Sequence, residues 1–281
     1  MRLTEAVAQA GWRARLDLRF ARRGQATILA ARRHVGPLAL QKPLYPEGEG
    51  VCHAIVLHPP AGIAGGDELA LNVELEPGAR ALLTTPGAGK WYRSDGREAG
   101  SRLSFVVGEG AVLEWLPQES IIFDGALARM GTEVVLAPGA VFVGWDILCL
   151  GRTAAGERFG RGRLRLDTRI VRDGRPLWRE RGLLEGGSPW LQAPAGFGGC
   201  PVSGTMLVAG PAPSPELLAA CRVVESSSDA RWGVTGLPRL LVARWLGHSG
   251  EAARDYFVRL WQRLRPALLG RAAQPPRIWA T

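Results

Sequence analysis

From residue 12 the chain alternates, with Trp12, Ala14, Leu16, Leu18 and Phe20 on one side and Arg13, Arg15, Asp17 and Arg19 on the other. A two-residue period is that of a strand with one buried face, so the chain is expected to begin as β-structure. The runs Cys52–His58 and Glu68–Leu75 are further strands on the same criterion. Between them Pro59-Pro60-Ala61-Gly62-Ile63-Ala64-Gly65-Gly66 is too rich in Gly and Pro for a helix or a central strand, and predicts a shaped loop.

The middle of the chain repeats itself. Leu75-Glu76-Pro77-Gly78-Ala79, Val107-Gly108-Glu109-Gly110-Ala111 and Leu136-Ala137-Pro138-Gly139-Ala140 each turn one strand into the next, and Arg172-Asp173-Gly174 carries a hairpin signal. A spacing of roughly thirty residues suggests units that bury their apolar faces on one another. The expected fold is mainly β: a layered, solenoid-like stack of β-hairpins with two α-helices near the C-terminus. The first helix is signalled by Ser214-Pro215-Glu216 and an apolar face of Leu217, Leu218, Cys221 and Val224. The second starts near Ser249, carries the stripe Ala253, Tyr256, Phe257, Leu260, Trp261 and Leu264, and should end or kink at Pro266. Leu240–Leu246 reads as a strand between them. The chain is taken as one domain over 1–281. Its β-layers cover 12–210 with repeats at about 75–185, followed by a helix–strand–helix cap over 211–270 and a tail over 271–281.

Composition adjusts this picture in three ways. The 37 glycines and 20 prolines fall singly between apolar runs, so they act as turn punctuation rather than low complexity. Met1–Gly11 has no apolar core of signal-peptide length, and the longest apolar stretch, Ala140–Leu150, is broken by Asp146 and is too short to span a bilayer. A cytoplasmic protein without a membrane partner is expected. Cys52, Cys149, Cys200 and Cys221 are scattered without a Cys-x-x-Cys pair, which predicts reduced, mostly buried thiols. The net charge of +9 comes from 33 arginines and two lysines, Lys42 and Lys90, and favours acidic partners.

Candidate chemistry is sparse. Gly87-Ala88-Gly89-Lys90 imitates a phosphate loop, but Thr84 replaces the first Gly, Trp91 replaces the hydroxyl, and the following Ser94-Asp95-Gly96 is a turn where a helix is needed. Nucleotide binding is not expected there. Cys52, His53, His58 and Asp67 are close in sequence, yet along a strand Cys52 and His58 would stand roughly 20 Å apart, too far for one metal cage. His58 is expected to hydrogen-bond the Gly-rich loop it introduces. Two carboxylates fall in apolar strands: Glu114 on the side of Val112 and Leu116, Asp146 on the side of Phe142 and Leu148. Such groups need a partner, either a salt bridge to an arginine such as Arg152 or Arg179, or a polar channel through the β-layers. Arg161, Arg163, Arg165 and Arg169 form a basic stripe, which is a solvated face or a nucleic-acid surface lacking the usual interleaved aromatics. A hydrolase using Glu114 and Glu119 would require the two to converge across a cleft.

Six runs in order resemble the UreD (UreH) family of urease accessory proteins: Lys42–Gly48, Cys52-His53 with His58–Asp67, Thr84–Ser94, Leu113–Glu119 through Phe123, Gly144-Trp145-Asp146 with Cys149–Arg152, and Arg277–Thr281. One departure is Ala61, where the family more often has Gly. The resemblance implies a mostly β fold with a pair of helices and a non-catalytic role. It further implies binding to the urease apoprotein with UreF and the GTPase UreG, assisting nickel insertion, with no tightly bound cofactor and nickel only in transit. The matched acidic positions Asp67, Glu114 and Asp146, with Glu180 from the fourth repeat, would form the nickel passage. The alternative function is an Arg-rich nucleic-acid-binding β protein.

Overall fold

The structure, a computed structural model, describes residues 11–280. The reading of the amino terminus rests chiefly on residues 1–10, which lie outside the described residues, as does Thr281. In chain order the strands are β1 (Arg13–Arg23), β2 (Ala26–Val35), β3 (Ala39–Leu40), β4 (Cys52–Leu57), β5 (Gly62–Ile63), β6 (Glu68–Leu75), β7 (Arg80–Thr84), β8 (Gly89–Trp91), β9 (Ala99–Val107), β10 (Val112–Trp115), β11 (Ser120–Ile122), β12 (Leu127–Leu136), β13 (Val141–Leu150), β14 (Arg163–Arg172), β15 (Arg175–Glu185) and β16 (Val202–Ala209). Helix α1 (Pro215–Arg222), β17 (Arg231–Leu237), β18 (Leu240–Gly247) and α2 (Gly250–Leu269) follow.

Two sheets face each other. The first runs β15-β14-β12-β9-β6-β1-β2, and the main path of the second runs β17-β18-β16-β13-β10-β7-β4-β3. Each Gly turn of the repeat carries the chain from the first sheet to the second, from β6 to β7, β9 to β10 and β12 to β13. Gly78, Gly110 and Gly139 stand at φ of 70°, 60° and 68°, a left-handed backbone that costs a residue with a Cβ but not glycine. The turns also bond to one another, Gly78 N to the Glu109 carbonyl at 2.8 Å and Gly110 N to the Pro138 carbonyl at 3.0 Å. Successive coils therefore stack in register.

The mainly-β, solenoid-like layering with two late helices is what the pattern predicts, and the pairing defines its unit. Neighbouring coils pair parallel, β6 with β9, β9 with β12 and β12 with β14 in one sheet, β7 with β10 and β10 with β13 in the other. Antiparallel pairs close the stack at its ends, including the β14–β15 hairpin at Asp173-Gly174, whose φ values of 51° and 72° are those of a tight two-residue turn. A turn leading to the opposite sheet has the same local sequence as one reversing within a sheet, so periodicity alone does not separate the two.

One core fills the space between the sheets, with Leu16, Phe20, Leu75, Phe105, Leu113, Val134 and Phe142 deep inside. A second lies between the outer face of the second sheet and the helices, where Leu82, Leu116, Trp145, Met206 and Trp245 meet the α2 stripe of Tyr256, Phe257, Leu260, Trp261 and Leu264. Strand β13 is buried on both faces, which is why Val141–Leu150 reads as nearly continuous apolar sequence. Helix α2 starts near Ser249 as expected, and Ser249 caps it, its Oγ accepting from Ala252 N at 3.2 Å. It does not stop at Pro266 but continues to Leu269 and ends on Gly270 at φ 66°. Placed in the last turn, Pro266 removes only one rung of the hydrogen-bond ladder.

Ala61 itself stands at φ 60°. An alanine there carries a left-handed strain of about 1 kcal/mol that a glycine would not. Ala61→Gly is expected to stabilise the protein by up to about 1 kcal/mol in denaturant titrations; a destabilisation would show that the loop relies on the Ala61 methyl.

Candidate functional site

Strands β10 and β13 pair so that Glu114 lies opposite Val143. Glu114 therefore points to the outer face of the second sheet, under α2, while Asp146 points inward between the sheets. Alternation separates the two carboxylates by the thickness of the sheet.

Asp146 lines an internal cavity of about 230 Å³ together with Glu180 from β15 and Arg244 from β18. Arg244 is engaged, with Nη2 2.8 Å from Glu180 and Nη1 donating to Thr205 Oγ1 at 2.6 Å. Asp146 has no ion pair or hydrogen bond to its side chain among the described residues. Burial pushes its carboxyl up to about 6, and the nearby Glu180 charge adds to the rise. A second cavity of about 250 Å³ is bounded by His58, Ile63 and the Thr85–Gly89 loop. The two share Ser101, Leu103 and Trp115 as walls, so they adjoin within the inter-sheet space. Trp115 Nε1 is buried at this wall without an acceptor among the described residues. Burial lowers the His58 imidazole, against the opposing charge of Asp67.

The other two acidic candidates are used structurally. Glu114 is 2% exposed and its oxygens take Trp261 Nε1 at 2.6 Å and Arg265 Nε and Nη2 at 3.0–3.1 Å. Arg265 also reaches Glu47 at 2.6 and 2.8 Å, and Glu47 meets His53 Nε2 at 2.6 Å. Burial would raise the Glu47 carboxyl, but the His53 and Arg265 contacts outweigh it and hold it near 2. The partners expected for the buried carboxylates are otherwise occupied: Arg152 pairs with Glu157 and Arg179 with Asp167. Asp67 accepts from Trp12 N and Ala64 N, both at 2.8 Å, and so pins the Gly-rich loop to the start of β1. That loop is also closed by Ala61 N donating to the His58 carbonyl at 2.8 Å, while the His58 side chain faces the cavity.

Lys90 sits in β8, between β5 and β11, and no helix follows it. The residues before it form cavity wall rather than a phosphate cradle. Glu119 pairs with Arg254 at 3.7 Å and lines neither cavity with Glu114. The arginine stripe is interleaved with carboxylates: Arg161 meets Asp124, Arg163 and Arg165 meet Glu98, and Arg169 meets Glu133. Burial pushes Cys52, Cys149 and Cys221 up to about 11, 12 and 11, as expected of reduced core thiols. Among the described residues no three His, Cys, Asp or Glu side chains gather into a metal-holding group, and no helix is long and apolar enough to cross a membrane.

Two arginines that hold these carboxylates escaped the sequence reading. Arg244 gives no local signal. Arg265 does, because it falls on the apolar stripe of α2 one turn after Trp261, where a charge is out of place unless it is paired.

Two facing sheets of parallel-stacked coils, covered on one outer face by a helix, define a β-solenoid-like class of protein. The family model for UreD urease accessory protein matches residues 12–280. The chain is 57% identical over 273 residues to urease accessory protein UreD of Dechloromonas aromatica (strain RCB), covering 96% of this chain and 95% of that protein. It is 56% identical over 275 residues to the protein of the same name from Azoarcus sp. (strain BH72), covering 98% and 96%. The chain belongs to the UreD family of urease accessory proteins.

Proposed function

We propose that this chain is a non-catalytic urease maturation factor of the cytoplasm, a scaffold that binds the urease apoprotein together with UreF and the GTPase UreG and assists nickel insertion. Family membership supports the maturation role. The observation that carries the finer reading is the Asp146 carboxyl, unpaired by any described residue and facing an internal cavity beside Glu180. Nickel is the cargo, and the protein needs no resident cofactor. Oxygen donors at low density bind a borderline divalent ion loosely enough to release it, which a Cys/His cage would not. Arg244 anchors Glu180 and leaves Asp146 as the free acceptor. Glu114, gripped by Trp261 and Arg265 on the other face of the sheet, and Asp67, which pins the Gly-rich loop, are set apart from this passage because neither lines the Asp146 cavity.

The test is co-expression with the urease subunits, UreF and UreG. The double variant Asp146→Asn/Glu180→Gln is expected to co-purify with the complex but to lower nickel-dependent urease activity at least about tenfold. Wild-type activation by that variant overturns the passage, and failure of the wild-type chain to associate with any of these proteins overturns the scaffold. The arginine stripe, the feature that most favours nucleic-acid binding, is partly neutralised by Asp124, Glu98 and Glu133, which weakens that alternative.

A further inference from the structure

We propose that Cys200 and His248 form a separate, exchange-labile site for a soft or borderline divalent cation. Cys200 precedes β16, and His248 follows β18 just before the cap of α2. The antiparallel register that sets Val202 opposite Gly247 brings the two ends together, leaving Cys200 Sγ 3.8 Å from His248 Nε2. A tetrahedral ion bound to a thiolate at about 2.3 Å and to an imidazole at about 2.0–2.1 Å requires a sulfur-to-nitrogen separation of about 3.6 Å. The observed gap accepts an ion between the two atoms with little movement.

The surroundings suit a cation that comes and goes. The thiol is buried at the floor of a cavity of about 340 Å³, and the imidazole is exposed at its lip. Glu157 also lines this cavity, but Arg152 and the amides of Asp124 and Arg152 occupy its carboxylate, so the chain offers two ligands and leaves the other positions to water. Cys52, Cys149 and Cys221 are instead packed within the two apolar cores.

The site stands beside the Asp146 cavity. On the inward face of β13, Leu148 lines the cavity of Asp146 and Leu150 lines that of Cys200, and Asp146 and Leu150 are about 13 Å apart along a strand. A role as loading point for the passage rests on the function proposed above, whereas the binding site stands independently of it.

Titration of the reduced full-length chain with Co²⁺ is expected to develop a thiolate-to-cobalt charge-transfer band that saturates at about one equivalent. Cys200→Ser removes the band, and His248→Gln weakens binding by about tenfold or more. Asp146→Asn/Glu180→Gln leaves it unchanged, so this site and the passage fail separately. In the wild-type chain, Co²⁺ is also expected to slow iodoacetamide labelling of Cys200 at least about fivefold, which needs no variant to fold. An undiminished band in Cys200→Ser, or neither band nor protection in the wild type, overturns the proposal.

Discussion

Arg265→Ala is expected to lower the unfolding free energy by about 3–5 kcal/mol, among the largest losses available to one substitution in this chain. The guanidinium is 2% exposed and bridges two carboxylates that are themselves buried, Glu47 and Glu114. Its removal leaves both desolvated without a counter-charge, and takes an anchor from α2 and from the loop before β4. Urea unfolding followed by tryptophan fluorescence reads this directly, since Trp261 donates to Glu114 and packs against Trp279. A loss below about 1 kcal/mol would mean that the site collapses or hydrates without penalty. Arg265→Met with Glu114→Gln should recover part of the loss, because a paired charge replaced at both ends leaves fewer orphaned groups. The network also has an acid limit. The Glu47 carboxyl, held near 2 against an ordinary 4.5, contributes stability that is fully present above pH 4.5 and disappears as the pH falls toward 2.

Asp146 behaves in the opposite sense. Its carboxyl is raised from 3.8 to about 6, so between these values the native state holds a proton that the unfolded chain has released. Stability falls as the pH rises through that window and then levels off. Asp146→Asn should therefore stabilise the protein by about 1–3 kcal/mol at pH 8, and by nothing measurable near pH 2.5, where both states are almost fully protonated. A variant that is more stable at neutral pH yet supports less urease activation would mark Asp146 as a residue kept for function at the expense of stability. Equal stability of variant and wild type at pH 8 would show that the cavity solvates the carboxylate well.

Much of this fold was legible as pattern. The alternation at 12–20 gave β1, Glu68–Leu75 gave β6 to the residue, the cap read at Ser214 accepts its hydrogen bond, and the second helix starts next to Ser249 as expected. Strand partners were not legible, since a Pro-Gly turn reads alike whether it reverses the chain within one sheet or passes it to another. Strand β17 was missed because Arg231–Leu237 has two glycines and little alternation. Asp146 and Glu180 were singled out in sequence, but their shared cavity depends on β13 and β15 lying in opposite sheets. Glu114 was marked as needing a partner, and only the return of α2 across the second sheet supplied it. The arginine that does so lies more than 150 positions away.

The order in which these parts leave the ribosome matters. The coils of β6 to β14 can stack on one another as each is made, because every turn bonds to its neighbour in the stack. The outer face of the second sheet has no such option. Trp145, Leu116 and Glu114 wait for Phe257, Trp261, Arg265 and Trp279, so a nascent chain halted before α2 presents a wide greasy surface with a bare acid at its centre. Such an intermediate is expected to be prone to aggregate until the segment from Gly250 onward, about the last ninth of the chain, has been made.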